Sequence, residues 1–171
     1  LTEGDSAKAL AVAGLPQVGR RTYGIFPLKG KLLNVRTATR KQLQNNQEIR
    51  NIVQAVGLDW GADYTSPEDV KKLRYQRIMI FSDQDLDGHH IAGLVINFIH
   101  AHWPSLLEVC PDFIQRFATP IVKVFPKTGK KAIHGFFTQA EYNVWEMEQE
   151  RGWEKRHRIK YYKGLGTSSR A

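Results

Sequence analysis

Cysteine occurs once in this chain, at Cys110, which excludes an internal disulfide framework and points to a reducing compartment. Long apolar runs are also scarce. The longest, Ile91 to Ile99, is broken by Asn97 and falls well short of the roughly 20 residues that a bilayer-spanning helix needs, so no membrane partner by way of a spanning segment is expected. The opening residues carry no charged, apolar and small-residue succession of the kind that directs secretion. There is no internal repeat and no low-complexity tract. Acids are the minority charge, with 17 Asp and Glu against 25 Lys and Arg, for a net charge of +8.

What remains is ordinary globular material. With 42% hydrophobic and 25% charged residues, 171 residues are enough for one domain with a sizeable core, and the expectation is a single domain over 1–171. The start at Leu1-Thr2 and the stop at Ser168-Ser169-Arg170-Ala171 read as an excised piece whose first strand is truncated. A pI near 9.7 makes nucleic acid the leading polyanionic partner, although anionic membrane surfaces fit the same charge.

The acids that are present are not scattered. Ile78-Met79-Ile80-Phe81 reads as a strand buried on both faces, and it leads directly into Ser82-Asp83-Gln84-Asp85-Leu86-Asp87-Gly88. In open α/β sheets ligands bind at the carboxyl ends of strands, and carboxylates are acceptor-only oxygens. Three of them close together repel unless a hard divalent ion neutralises them or one binds a proton, so Mg²⁺ or Mn²⁺ is expected. The spacing imitates an EF-hand loop at its first, third, fifth and sixth positions. Its twelfth position, however, is Leu94, where that loop needs a bidentate Glu. Asp87 also suits a helix N-cap.

Along the chain, Leu1-Thr2 ends a strand, and Glu3-Gly4-Asp5-Ser6 reads as a turn from which Asp5 or Ser6 caps a helix carrying Ala7, Leu10, Ala11, Gly14 and Leu15 on one face. Glu3 reads equally as a further member of the acidic cluster and as a solvated turn acid. Tyr23 to Leu28 is strand-like, and Lys29-Gly30-Lys31 with Asn34 suits either phosphate contact or a basic surface loop. Asn45 and Asn46 both offer caps for a helix with Ile49, Ile52, Val53 and Val56 on one face, which Gly57 closes, and Ser66-Pro67-Glu68-Asp69 opens a short helix. A long amphipathic helix through Ile91 and Ile99 is interrupted at Pro104. The spacing of His89, His90, His100 and His102 does not suit zinc on one helical face. Phe117 to Phe125 and Ala132 to Phe137 form a hairpin, Thr138 to Glu141 is a capping box, and His157 to Tyr162 is a strand leading into Lys163-Gly164-Leu165-Gly166-Thr167.

Four motifs, Glu3-Gly4-Asp5-Ser6-Ala7, Pro27-Leu28-Lys29-Gly30-Lys31, Asp83-Gln84-Asp85-Leu86-Asp87-Gly88 and Tyr162-Lys163-Gly164-Leu165-Gly166-Thr167, together resemble the Toprim domain of type IIA DNA topoisomerases. Gln84, Trp103 to Leu107 and Thr119 to Val124 resemble the eukaryotic type rather than bacterial gyrase. Lys29 stands where that type usually has Arg, and His89 where it usually has Ser. The resemblance implies an α/β, Rossmann-like Toprim fold with a mainly parallel central sheet flanked by helices. It implies two Mg²⁺ ions, with Mn²⁺ or Ca²⁺ able to substitute in binding: Glu3 and Asp83 would hold the first, Asp83 and Asp85 the second, and Asp87 would support them. Catalytic roles fall to Glu3, Asp83 and Asp85, DNA contact to Lys31 and Asn34, and an inhibitor pocket to Gly4, Asp5, Lys29 and Gly30.

The partners so implied are double-stranded DNA, a winged-helix domain whose tyrosine attacks the phosphodiester, an ATPase domain that consumes ATP, and a second copy of the full-length protein. A nuclear location follows, with mitochondrion or viral factory as alternatives. The isolated piece is expected to be inactive in cleavage. Two other readings stand beside this one: a Toprim-type nuclease or primase, and a non-enzymatic phosphoacceptor receiver module. The net charge and the alternate acids fit the receiver poorly.

Overall fold

The computed structural model describes residues 1–162, Gly164 and Leu165. Where the sequence suggests one domain over 1–171, the chain gathers into two compact units: residues 1–82 with 86–117, and residues 83–85 with 118–171.

The first unit is built on parallel strands. β1 (Thr2–Glu3) pairs with β2 (Pro27–Leu28), and β3 (Ile78–Ile80) pairs with β4 (Ile114–Arg116), both in parallel. A parallel bridge from Thr2 to Phe81 joins the two pairs. Its hydrogen bonds run from the Phe81 amide to the Leu1 carbonyl at 2.7 Å and from the Glu3 amide to the Phe81 carbonyl at 2.9 Å. The expected parallel α/β arrangement is therefore present, in shorter strands than the apolar runs suggest. Tyr23 to Leu28 reduces to two residues because its partner β1 offers only two.

Helix α1 (Gly4–Val18) departs from expectation at its start. Glu3 still belongs to β1, its amide taken by Phe81, so no turn intervenes and neither Asp5 nor Ser6 caps the helix. Asp5 lies inside the first turn, where its charge complements the helix dipole. Only Ala7 of the small-residue face is buried, so that face does not pack closely as a whole.

The next helices end where local chemistry dictates. α2 (Arg40–Asn45), unforeseen in the sequence, has a capping box of Thr39 and Gln42. α3 (Gln47–Val56) is capped by the Asn46 side chain on the Ile49 amide and closed by Gly57 at φ 83°. A side chain at Gly57 would also meet the Arg74 backbone at 2.9 Å. α4 (Pro67–Lys71) has Ser66 and Asp69 as a reciprocal cap.

α5 (Leu86–His102) stops before Pro104, which opens α6 (Pro104–Val109) at the one helical position where a missing N–H costs nothing. These helices enclose the main core. Ile49, Ile80, Phe98, Ile99, Trp103, Leu106 and Phe113 are at most 1% exposed, and the Trp103 indole donates to the Asp59 carbonyl at 2.7 Å.

The second unit is antiparallel. β5 (Val122–Pro126) lies between β6 (His134–Phe136) and β7 (His157–Tyr161). Of the expected strand from Phe117 to Phe125 only the second part forms, because Pro120 has no amide to give a ladder; β5 begins at Val122, and β4, unforeseen in the sequence, ends before that stretch at Arg116. α7 (Gln139–Met147) follows its predicted capping box of Thr138 and Glu141. Its Tyr142 joins Val122, Val124 and Trp153 in a small second core. Strand alternation in β7 predicts that Tyr161 or Tyr162 turns inward; neither is buried, and Tyr161 is 61% exposed.

Candidate functional site

In the first unit, the strand ends and the loop after β2 meet the first turn of α5 around a cleft of about 630 Å³. Glu3, Gly4 and Asp5 line it from the β1–α1 junction, Pro27 to Lys31 from β2 and its loop, and Asp87 and Ile91 from α5. Seven of the residues singled out in the sequence, Glu3, Gly4, Asp5, Lys29, Gly30, Lys31 and Asp87, thus share one concavity.

The loop is pinned from outside the cleft. The Glu48 carboxylate, in the first turn of α3, accepts the Lys29 amide at 2.7 Å. Nothing in the sequence pattern marks Glu48, because a helix-surface Glu next to an Asn cap reads as solvated charge. Leu28 and Leu32 are buried on either side of the loop and hold its ends in the core.

Lys31 reaches Asp87 in a 2.8 Å ion pair, with both side chains substantially exposed. The Lys31 ammonium, by hydrogen bond and by charge, holds the Asp87 carboxyl below its ordinary range, with His90 adding to the effect. Asp87 is therefore anionic and already matched to a cation of its own unit, where the sequence suggests an N-cap or metal-supporting role.

Asn34 sits in a polar chain. Its Oδ1 accepts from the Arg36 amide and from Asn97 Nδ2, each at 3.2 Å, while Arg36 Nε donates to Asn97 Oδ1 at 2.8 Å. With its oxygen occupied twice, Asn34 keeps the amide NH₂ as its outward function, a donor suited to phosphate oxygen.

Between β3 and α5, Ser82 is fully buried and its hydroxyl donates to the Gly88 carbonyl at 3.3 Å, closing the acidic segment into a loop. Asp83 and Asp85 fall in the second unit. There the Leu165 amide donates to Asp83 Oδ1 at 2.8 Å. Gly164 lies close against the same carboxylate: a Cβ at that position would be 2.9 Å from the Asp83 carboxyl carbon. Of the last predicted motif, Lys163, Gly166 and Thr167 lie outside the described residues.

Among the described residues no three His, Cys, Asp or Glu side chains form a group that could hold a metal ion. The motif resemblance brings Glu3, Asp83, Asp85 and Asp87 into one centre. Here Asp83 takes a backbone donor and Asp87 an ammonium, each from its own unit. The donor set itself, carboxylate oxygens only and none of them buried, matches the chemistry of Mg²⁺.

Comparison with known proteins bears on the same residues. The model of the Toprim domain matches residues 1–119, and that of the C-terminal associated domain of TOPRIM matches residues 117–171. The chain belongs to the Toprim family. The junction of the two matches coincides with the boundary between the two compact units at Phe117.

This Toprim chain is 53% identical over 171 residues to DNA topoisomerase 2-beta of Gallus gallus, with 99% of the chain covered. It is 52% identical over 169 residues to DNA topoisomerase 2-alpha of Homo sapiens. It spans about a tenth of the length of these relatives, 10% and 11% respectively. A solved structure, the DNA-binding, cleavage and re-ligation domain of Plasmodium falciparum topoisomerase II, matches 98% of the chain at 53% identity with a TM-score of 0.83; the chain covers 22% of it.

Proposed function

We propose that this Toprim chain is the metal-holding part of the DNA cleavage and religation core of an ATP-dependent type II DNA topoisomerase. The observation that carries the reading is the cleft lined by Glu3, Lys31 and Asp87, in a chain half identical along its length to proteins named DNA topoisomerase 2.

Glu3, Asp83 and Asp85 are the residues that would hold Mg²⁺, with Asp87 in support. A divalent cation supplies charge neutralisation for the oxygens of a phosphodiester under attack. Lys31 and Asn34 bind and orient the DNA backbone: the ammonium as a point charge, the amide as a fixed donor. Gly4, Asp5, Lys29 and Gly30 form the cleft wall on which small-molecule poisons would lodge.

The nucleophile in this reading is a tyrosine of a winged-helix domain elsewhere in a homodimeric enzyme. The chain's own Tyr142 is ill suited, since burial pushes its phenol well above the usual range and it donates to Glu146 at 3.0 Å. Positioning of the attacking group is worth several kcal/mol of barrier, and this chain does not supply it.

The test is a cleavage assay with duplex DNA and Mg²⁺ or Mn²⁺. The 171-residue chain alone should not cut. Adding the tyrosine-bearing segment should yield protein joined covalently to new 5′ ends, and Glu3→Gln should abolish that product. Free-ended, metal-dependent cleavage by the chain alone would replace the topoisomerase reading with that of a Toprim nuclease.

A further inference from the structure

Positive charge is unevenly distributed. Residues 118–171 hold eleven Lys and Arg against five Glu, so most of the chain's net charge of +8 resides in its last third. Part of it is organised on one face of the antiparallel sheet. Lys123 and Lys160 are direct cross-strand partners. Both ammoniums lie over the ring of Tyr162, at 5.0 and 5.1 Å from its centroid. At the next pair on this face, Arg158 is opposite Phe125 and its guanidinium lies 5.4 Å from that ring's centroid, with a hydrogen bond to the Gly129 carbonyl at 3.0 Å. Strand alternation sets these side chains on the face opposite Val122 and Val124, which are buried in the second core.

Like charges directly opposite one another destabilise a sheet, and the shared Tyr162 ring offsets only part of that. None of the three strands contains an Asp or Glu. Among the described residues, none of Lys123, Arg158 and Lys160 enters an ion pair. The face therefore carries concentrated positive charge with no carboxylate on its strands to neutralise it, an arrangement that an external polyanion relieves.

We propose that the Lys123, Arg158 and Lys160 face binds the phosphate backbone of duplex DNA, as a contact surface additional to Lys31 and Asn34. The choice of DNA as the polyanion rests on the topoisomerase reading; the face itself does not. Backbone rather than base recognition follows from the rings. Cations already lie over Tyr162 and Phe125, so these rings serve to hold the charges rather than as open platforms for stacked bases.

The experiment is a lysine footprint by reductive methylation of the unsubstituted protein, with and without duplex DNA. DNA should protect Lys123 and Lys160 together with Lys31. The double variant Lys123→Gln, Lys160→Gln should flatten the dependence of log affinity on log salt by about two units while Lys31 stays protected. Protection of Lys31 with Lys123 and Lys160 reacting as in the free protein overturns the proposal and leaves the topoisomerase reading standing. Equal protection of Lys123 and Lys160 by polyglutamate of matched charge overturns it in favour of an acidic protein segment. Protection of none of the three overturns both.

Discussion

Gly164 lies against Asp83, although 81 positions separate them: a Cβ on the glycine would meet the Asp83 carboxyl carbon at 2.9 Å, at a φ of 147° that L side chains rarely adopt. The neighbouring Leu165 amide donates to the same carboxylate at 2.8 Å. The first acid of the acidic segment is therefore oriented by backbone from the far end of the chain, and only a residue without a side chain allows that approach.

Gly164→Ala should accordingly push the Asp83 carboxylate aside and strain the backbone, at a cost of about 1–3 kcal/mol. Metal-dependent cleavage in the full enzyme should drop at least tenfold, with a smaller loss of melting temperature. Unchanged cleavage would remove the significance given to this contact.

The carboxylates come from separated parts of the chain, and DNA phosphate is expected to complete the ligand set, so affinity for Mn²⁺ without DNA should be low. Paramagnetic broadening of the resonances of Asp83 to Gly88 during Mn²⁺ titration measures it. Asp83→Asn should suppress the effect. Equal broadening in that variant would remove Asp83 from the ligand set.

Glu48 pins the loop that carries Lys29 and Lys31 by accepting a backbone amide. Loss of a hydrogen bond to a charged group costs about 1.5–3 kcal/mol at most, and less at an exposed site. Glu48→Ala should raise amide exchange at Lys29 and weaken DNA binding severalfold, and Glu48→Gln, which keeps an acceptor, should restore much of both. Equal behaviour of the two variants would make the charge, not the pin, the operative feature.

The acid limb of stability should include Asp69. The Lys72 ammonium, first, and the Ser66 hydroxyl lower its carboxyl from 3.8 to about 2. A lowered folded-state value means that the contribution is complete above about pH 4 and is lost as the pH falls through about 2. Carbon-detected titration of the Asp69 carboxyl should show this midpoint, and Lys72→Met should raise it. A midpoint near 3.8 in the unsubstituted protein would show that solvent screens the pair entirely.

Phe98 is fully enclosed in the main core, in edge contact with Trp103. Phe98→Ala should destabilise the first unit by about 3–5 kcal/mol in a denaturant titration. A loss below about 1 kcal/mol would mean that the surrounding helices collapse into the space.

Features that depend on near neighbours in the chain are legible in the sequence. The capping boxes at Ser66 and Asp69 and at Thr138 and Glu141, and the Asn46 cap, are set by side chains reaching three residues, and the Gly57 stop by a backbone amide reaching four. Sequence and structure part where a distant partner decides. The α1 start moves to Gly4 because Phe81 claims the Glu3 amide. Of Tyr23 to Leu28 only Pro27 and Leu28 pair in register with β1, and of Phe117 to Phe125 only the part beyond Pro120 becomes a strand, β5.

By itself the sequence determined the family, the oxygen-only character of the candidate metal ligands, the basic surplus and the positions of most helices, because composition, motif and short-range capping are written along the chain. Tertiary structure alone decided that Lys31 pairs with Asp87, that Glu48 holds the Lys29 amide, that Gly164 and Leu165 bear on Asp83, and that Lys123 and Lys160 share one ring. Each brings together parts of the chain at least nineteen positions apart, Lys123 reaching the ring beside Lys160 from another strand, and such contacts act over a few ångströms of space irrespective of the length of chain between their ends.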